Sequence, residues 1–466
     1  MKKAQTLFLL AIAFLALTAC NTSDQRPNII LINVDDMGWK DLSVMGSTYY
    51  DTPNIDSLIR SGMLFTDAYA AAANCAPSRA SMMTGKWSTR HGVYTVGSSA
   101  RGKSKNRQLI PIKNTVQPDT SFYLLPEVLQ DNGYLTCHAG KWHLSDDPLA
   151  DGFAVNIGGG PNGHPGSYYP PYKNVSVPAG KNEHLTDLIM EKTIEFVQSA
   201  DGPFFLHYAP YAVHTPIQAI EELVPKYENR PASGGQNNVA YATMIENLDR
   251  NIGLLLQAVS SAGKDDNLLI VFTSDNGGLY GITEQHPLRA GKGAYYEGGI
   301  RVPTAFIWPG HIPAGERNAT PISNLDLFPT LLSVSGIEYQ QDNYDGNSLW
   351  PLPTTGAAMA DRSLFWHFPV YLQAYKKKNA QNRDPLFRTR PGSVVRQGDW
   401  KLHYYFEDEK VELFNLTTDI GEVDNLAERQ PEKAAEMLGL LHNWWEQTEA
   451  PIPSEPNPEF GQSDTD

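Results

Sequence analysis

Asn28-Ile29-Ile30-Leu31-Ile32-Asn33-Val34 runs without a break into Asp35-Asp36-Met37-Gly38. An apolar run of strand length that stops at a polar doublet describes a buried strand delivering side chains to the edge of a sheet. Three other segments repeat the layout. Leu268 to Thr273 leads into Ser274-Asp275-Asn276-Gly277-Gly278, Phe204 to Ala209 is followed by Val213-His214-Thr215-Pro216, and Tyr134 to Cys137 by Gly140-Lys141-Trp142-His143. Near-continuous apolar runs flanked by helical patterns indicate parallel strands covered on both faces. One such helix is predicted from about Val239 to Ser260, with Met244, Leu248, Ile252, Leu255 and Val259 on one stripe. The fold class is therefore α/β. Ligands of open α/β sheets bind outside the carboxyl ends of the strands, so the polar residues that follow each run should converge on one edge.

A second kind of segment belongs at that edge, Asn74-Cys75-Ala76-Pro77-Ser78-Arg79-Ala80-Ser81-Met82-Met83-Thr84-Gly85. Pro77 suits the first turn of a helix and Gly85 the position just past its end. Cys75 then sits at or beside the N-cap, where unpaired N–H groups and the helix dipole favour negative charge. Arg79, one turn on, shares its face and can hold an anion.

The convergent groups sort by chemistry. Asp35, Asp36, Asp275 and Asn276 offer only oxygen, which selects a hard cation, Ca²⁺ ahead of Mg²⁺, over zinc. Lys141, His143, His214 and Lys292 add cations and proton carriers. Lys292 lies in Leu288-Arg289-Ala290-Gly291-Lys292-Gly293, followed by Tyr296-Glu297-Gly298-Gly299-Ile300-Arg301-Val302-Pro303.

These segments resemble the two signatures of the formylglycine-dependent sulfatase family, the first being Cys-x-Pro-Ser-Arg followed by Thr-Gly. The resemblance spans roughly Arg26 to Trp445 and implies an alkaline phosphatase-like fold with a small C-terminal subdomain. It further implies that Cys75 is oxidised by a maturing enzyme to formylglycine (3-oxoalanine), and that Asp35, Asp36, Asp275 and Asn276 hold Ca²⁺ together with residue 75. By the same resemblance Arg79 and the metal hold the ionised nucleophile, while Lys141 and Lys292 bind sulfate. His143 stands beside the formylglycine and His214 serves the leaving group. Glu297 and Arg301 are assigned to structure, and Lys86 and His91 match only loosely. The expected activity is a sulfuric ester hydrolase acting on a sulfated saccharide, from algal ulvan or carrageenan or from host glycosaminoglycan. Two alternatives are a phosphodiester or phosphonate monoester hydrolase of the same superfamily and a non-catalytic lipoprotein that binds sulfated glycan.

The rest of the chain bounds these readings. Lys2-Lys3, an apolar run from Leu7 to Leu17 and Leu17-Thr18-Ala19-Cys20 describe an export signal ending in a lipobox-like site. Residues 1–19 are thus expected to be a lipoprotein signal peptide, and lipidated Cys20 to tie an exported bacterial protein to the membrane, in the outer membrane or periplasm. Three cysteines in 466 residues are too few for a disulfide framework, so Cys137 is expected to be a buried free thiol. A net charge of −15 argues against nucleic acid and makes local cations responsible for any anionic substrate. The expected domains are a catalytic unit over 26–360, an antiparallel sheet with a helix over 361–450, and a Pro-rich, acidic, disordered tail over 451–466. Tyr344 to Asp361 reads as the connection. The last helix is predicted from Pro431 to Trp445, with Ala434, Leu438, Leu441 and Trp445 on one side. Gly166 to Tyr172 and Trp366-His367-Phe368-Pro369 could present sugar-stacking rings, and Arg101 to Arg107 and Lys376 to Lys378 with Arg383 could hold further anionic groups.

Overall fold

A computed structural model of the chain describes residues 26–178, 180–351, 362–374 and 381–462. The signal segment with Cys20, Lys376 to Lys378 and residues 352–361 of the connection lie outside the described residues. Asn28–Val34 is a central strand of an eight-stranded sheet. The order across it is Val155–Ile157, Leu135–Gly140, Phe204–Ala209, Asn28–Val34, Leu268–Ser274, Thr304–Ile307, Met63–Phe65 and Glu316–Asn318. All neighbours pair parallel except Thr304–Ile307, which runs against both of its own.

Alternate side chains of one strand enter different cores. Ile30, Ile32 and Val34 pack with Leu206, Tyr208 and the helix Val239–Ser261. Ile29 and Leu31 pack with Phe205 and the helices Cys75–Thr84 and Leu327–Val334 on the opposite face. Burial on both faces is why the run is apolar at nearly every position. The predicted stripe Met244, Leu248, Ile252, Leu255 and Val259 is buried throughout.

Register decides where the chemistry lands. Val34 is opposite Ser274 and Gly140 is opposite Ala209, so the four strands end in nearly the same row. The residues that follow are delivered to one place.

The second unit is a four-stranded antiparallel sheet in the order Ser363–Phe368, Gly392–Gln397, Trp400–Tyr405, Val411–Asn415. The helix Pro431–Thr448 lies on it through Ala434, Met437, Leu441 and Trp444. The expected stripe was thus rotated, since Leu438 and Trp445 are only half-buried. Adjacent Leu440-Leu441 and Trp444-Trp445 allow two registers. The choice falls to Trp444, whose ring stacks flat on Phe365 at 4.8 Å and meets Trp87 edge-on at 5.4 Å. The tail is also not loose as far as Gln462. Ile110 N–H donates to the Glu455 carbonyl at 2.8 Å, and Asn457 N–H to that of Gln108 at 2.8 Å. Residues 463–466 lie outside the described residues.

Candidate active site at the carboxyl edge of the sheet

Cys75 is the first residue of the helix Cys75–Thr84, one place inside the N-cap Asn74, and all ten residues of the helix are buried. Gly85 ends it at φ +65°, where its N–H caps the Ser81 carbonyl. That left-handed turn is the reason for glycine there. Arg79, one turn along, is fully buried and aims back at the sheet edge. Its Nε donates to Asp275 Oδ2 at 2.8 Å and its Nη1 to the Lys141 carbonyl at 2.7 Å.

The carboxylates stand in front of Cys75. Asp35, Asp275 and Cys75 bring ligand atoms within 4.8 Å of one another, and so do Asp35, Asp36 and His214. Lys141 Nζ lies 2.8 Å from Asp35 Oδ2, and Lys292 Nζ 2.6 Å from Asp36 Oδ1. Asn276 Nδ2 donates to Asp36 Oδ1 at 2.8 Å, while its own side-chain oxygen has no hydrogen-bond partner among the described residues. Asp36 and His143 hold left-handed backbones at φ 60° and 63°, a strain that side chains adopt only where the surroundings impose it.

The electrostatics follow from burial. Loss of water pushes the Asp35 carboxyl well above the usual carboxylate range, Lys141 and Arg79 pulling it down while Asp275 and Asp36 add to the rise. Burial acts on Asp36 in the same direction, but Lys292, His214 and Lys141 outweigh it and hold that group low. Burial, then Lys141 and Arg79, push His143 well below its ordinary range. Burial and Lys292 do the same to His214, against the pull of Asp36.

One set of atoms is left over. Asp35 Oδ1, Asn276 Oδ1 and Arg79 Nη2 are buried and lack a hydrogen-bond partner among the described residues. Arg79 Nη2 stands 4.0 Å from Asp35 Oδ1, beyond hydrogen-bond reach. Since buried polar atoms are normally satisfied, acceptors and a guanidinium N–H left in this state mark a site for a cation and an anion together. The all-oxygen donor set around Asp35, Asp36, Asp275 and Asn276 fits a hard divalent cation.

The sequence comparisons agree with this geometry. The model of the family described as Sulfatase matches residues 27–337, and that of N-sulphoglucosamine sulphohydrolase, C-terminal, matches 291–449. The chain is a member of the sulfatase family. A sulfatase of Formosa agariphila is 31% identical over 92% of this chain and 90% of its own. Human N-acetylgalactosamine-6-sulfatase is 33% identical over 74% of this chain and 68% of its own. Among solved structures, Ps i-CgsB in complex with k-i-k-neocarrahexaose superposes with a TM-score of 0.75 at 31% identity, covering 94% of this chain and 95% of that one. The fold is alkaline phosphatase-like and the enzyme is a sulfuric ester hydrolase.

In this sulfatase the expected site residues Asp35, Asp36, Cys75, Arg79, Lys141, His143, His214, Asp275, Asn276 and Lys292 are all brought to the one edge. The loosely matching pair is not. His91 is buried behind the helix, its Nε2 2.9 Å from Ser81 Oγ, and Lys86 lies beyond the helix end near Asp345. Cys137 is a buried free thiol, raised by burial. Glu297 and Arg301 form a buried ion pair at 3.0 Å, away from the edge.

Of the two expected sugar platforms, Trp366-His367-Phe368-Pro369 fails, while Tyr169 and Tyr172 of the other stay half-exposed. Trp366, His367 and Phe368 are 2%, 2% and 1% exposed, with Phe368 stacked on Tyr295 at 3.9 Å. Tyr168 is buried too, and its hydroxyl donates to the carbonyls of Tyr211 and His214. It supports the His214 loop instead of presenting a face. Of the basic residues, Arg107 donates to the carbonyls of Ala100 and Gly102, and Arg383 pairs with Asp408. Arg107 is occupied within its own loop, and Arg383 by the turn between Trp400–Tyr405 and Val411–Asn415.

Sequence reading also missed Asp41. This buried carboxyl accepts from Gly38 N, Tyr241 Oη, Thr283 Oγ1 and Gln285 Nε2, tying the loop that carries Asp36 to the one that follows Asn276. An isolated aspartate carries no signal of such convergence, because its partners are far away in sequence.

Proposed function

We propose that this sulfatase removes sulfate from a sulfated saccharide by nucleophilic attack from a formylglycine at position 75. The observation that carries the reading is the set of unsatisfied atoms on Asp35, Asn276 and Arg79, which with Lys141 and Lys292 surrounds the space before Cys75. The complex of Ps i-CgsB with a carrageenan hexasaccharide and the name of the human relative support the saccharide class.

Asp35, Asp36, Asp275 and Asn276 would hold Ca²⁺ with the modified residue 75, and the ion supplies a Lewis-acid charge against the sulfate oxygens. Formylglycine supplies, as its hydrate, an oxygen nucleophile whose second hydroxyl allows sulfate to be expelled without water attack at sulfur. Arg79 stabilises negative charge at position 75, its orientation fixed by Asp275 and the Lys141 carbonyl. Lys141 and Lys292 spread positive charge over the transferring group, where preorganised charge in a dry site is most effective. His214 donates a proton to the departing alcohol. Its Nδ1–H donates to the Thr215 carbonyl at 2.7 Å, so Nε2, facing Asp36, is the ring nitrogen that must take up a proton before giving it to the alcohol. His143, beside residue 75, takes the proton that restores the aldehyde. Export as a lipoprotein through Cys20 belongs to the same proposal and rests on residues 1–20 of the sequence.

The test is sulfate release from parallel panels of sulfated oligosaccharides, aryl sulfates and aryl phosphates, with mass spectrometry of the Cys75 peptide. Release from at least one saccharide, an aldehyde mass at residue 75, and loss of turnover to background in a folded Cys75→Ala variant are expected. Substantial activity in that variant would overturn the nucleophile; activity confined to aryl esters would overturn the substrate class.

A further inference from the structure

The loop from Gly158 to Gly166 touches both histidines of the site. The His143 N–H donates to the Gly160 carbonyl at 3.0 Å, and its ring fills the space where Gly163 lacks a side chain. A Cβ on Gly163 would lie 2.4 Å from the ring carbon Cε1, so only glycine fits there. The next residue, His164, is exposed and stacks on the ring of His214 at 6.4 Å between centroids and 11° between planes. Its Nδ1 accepts from the Gly166 N–H at 3.2 Å, and its carbonyl accepts from Asn174 Nδ2 at 3.1 Å. An Nδ1 that accepts from a backbone N–H leaves the imidazole proton on Nε2. His164 therefore presents a fixed N–H donor outside His214.

The order of exposure sets the geometry of the alcohol. The carboxylates are buried, the His143 and His214 side chains are half-buried, the latter 14% exposed, and His164 is open to solvent. A leaving group whose ester oxygen meets His214 must extend outward past that ring, along the face that His164 occupies. Hydroxyl and ring oxygens of a saccharide accept from such a donor; the face of an aryl leaving group offers it nothing comparable.

We propose that His164 is a specificity-determining residue that donates from Nε2 to an oxygen of the leaving saccharide beside His214. The inference rests on the saccharide reading above and names the contact that would enforce it. His164→Ala is expected to lower kcat/KM on a sulfated oligosaccharide by roughly five- to tenfold more than on an aryl sulfate, the scale of one uncharged hydrogen bond, with the change mainly in KM. His164→Gln, which retains an N–H donor on a flexible arm, should recover part of the difference. Equal losses on both substrates, or no selective loss on the saccharide, would overturn this inference alone. A wild-type enzyme that releases sulfate from aryl esters and from no saccharide would overturn the substrate reading and this inference with it.

Discussion

Two clusters of buried charge, composed alike, are finished differently. At the sheet edge Asp35, Asp36 and Asp275 meet Arg79, Lys141 and Lys292. At the junction with the C-terminal sheet Asp67, Glu297 and Glu422 meet Arg301, Arg396 and Lys401. In the junction every carboxylate oxygen of the two glutamates is engaged. Glu297 takes Lys401 at 2.8 Å on one oxygen and Arg301 and Tyr69 Oη on the other. Glu422 accepts from Lys401, His403 and the Glu297 amide. At the edge Asp35 Oδ1, Asn276 Oδ1 and Arg79 Nη2 are left open. A closed buried network specifies one packing; an open one in the same fold is held ready for a ligand. Between these two clusters burial and charge balance are alike, and hydrogen-bond satisfaction is what differs.

The largest expected effect breaks the closed cluster. Glu297→Gln leaves Lys401 and Arg301 buried with one fewer counter-charge, and removing one partner of a buried pair costs about 3–5 kcal/mol. Thermal unfolding should show that loss, while kcat per folded molecule stays within a few-fold of wild type. A variant of wild-type stability with abolished turnover would show that the junction belongs to the chemistry after all.

Next comes the open cluster, where turnover should fall as well as stability. Asp275→Ala removes a proposed metal ligand and the fixed partner of Arg79, and should lower turnover by about 10²-fold or more, the effect of losing one preorganised stabiliser. It also leaves buried Arg79 without its 2.8 Å partner, so the chelated variant should be less stable than chelated wild type as well. Added Ca²⁺ should raise the unfolding temperature of the wild type, with about 2.7 kcal/mol gained at a hundredfold excess over Kd. The variant should respond much less. Unchanged turnover in thoroughly metal-stripped wild type would remove the reason for leaving those oxygens open.

What sequence could tell divides along the same line. The strands and the polar residues after them were legible because Asn28–Val34, Leu268–Ser274 and Phe204–Ala209 are buried on both faces and end in one register row. Cys75, Arg79 and the second signature were legible because their spacing is local. The reversed strand Thr304–Ile307 was not, since a short buried strand reads the same in either direction. Nor was the burial of Trp366 and Phe368, whose rings pack against Tyr69 and Tyr295 on the junction side of a sheet that also carries the last helix on its other face. The tail's pairing with Gln108 and Ile110 is equally remote in sequence. Glycines 158–166 gave no signal because their function lies in backbone carbonyls and missing side chains.

The smallest effect sharpens the comparison through pH. Burial alone would raise Glu297, but Lys401, Arg301 and Arg396 outweigh it and hold the carboxyl at about 2, below its usual 4.5. A carboxyl lowered in the folded state stabilises fully above its unfolded value and loses that contribution as pH falls towards the folded one. His403 adds to acid loss in the same direction. Burial lowers its imidazole against the pull of Glu422, so unfolded chains gain the proton that the folded protein refuses as pH drops below 6.5. Glu297→Gln lacks the first contribution and keeps the second. The gap in unfolding temperature between wild type and variant, measured in chelator at about pH 7, 5 and 3, should therefore hold from 7 to 5 and narrow towards 3. A gap that stayed constant to the lowest pH would mean that Glu297 is not held ionised by its cations, and that the junction owes its order to packing.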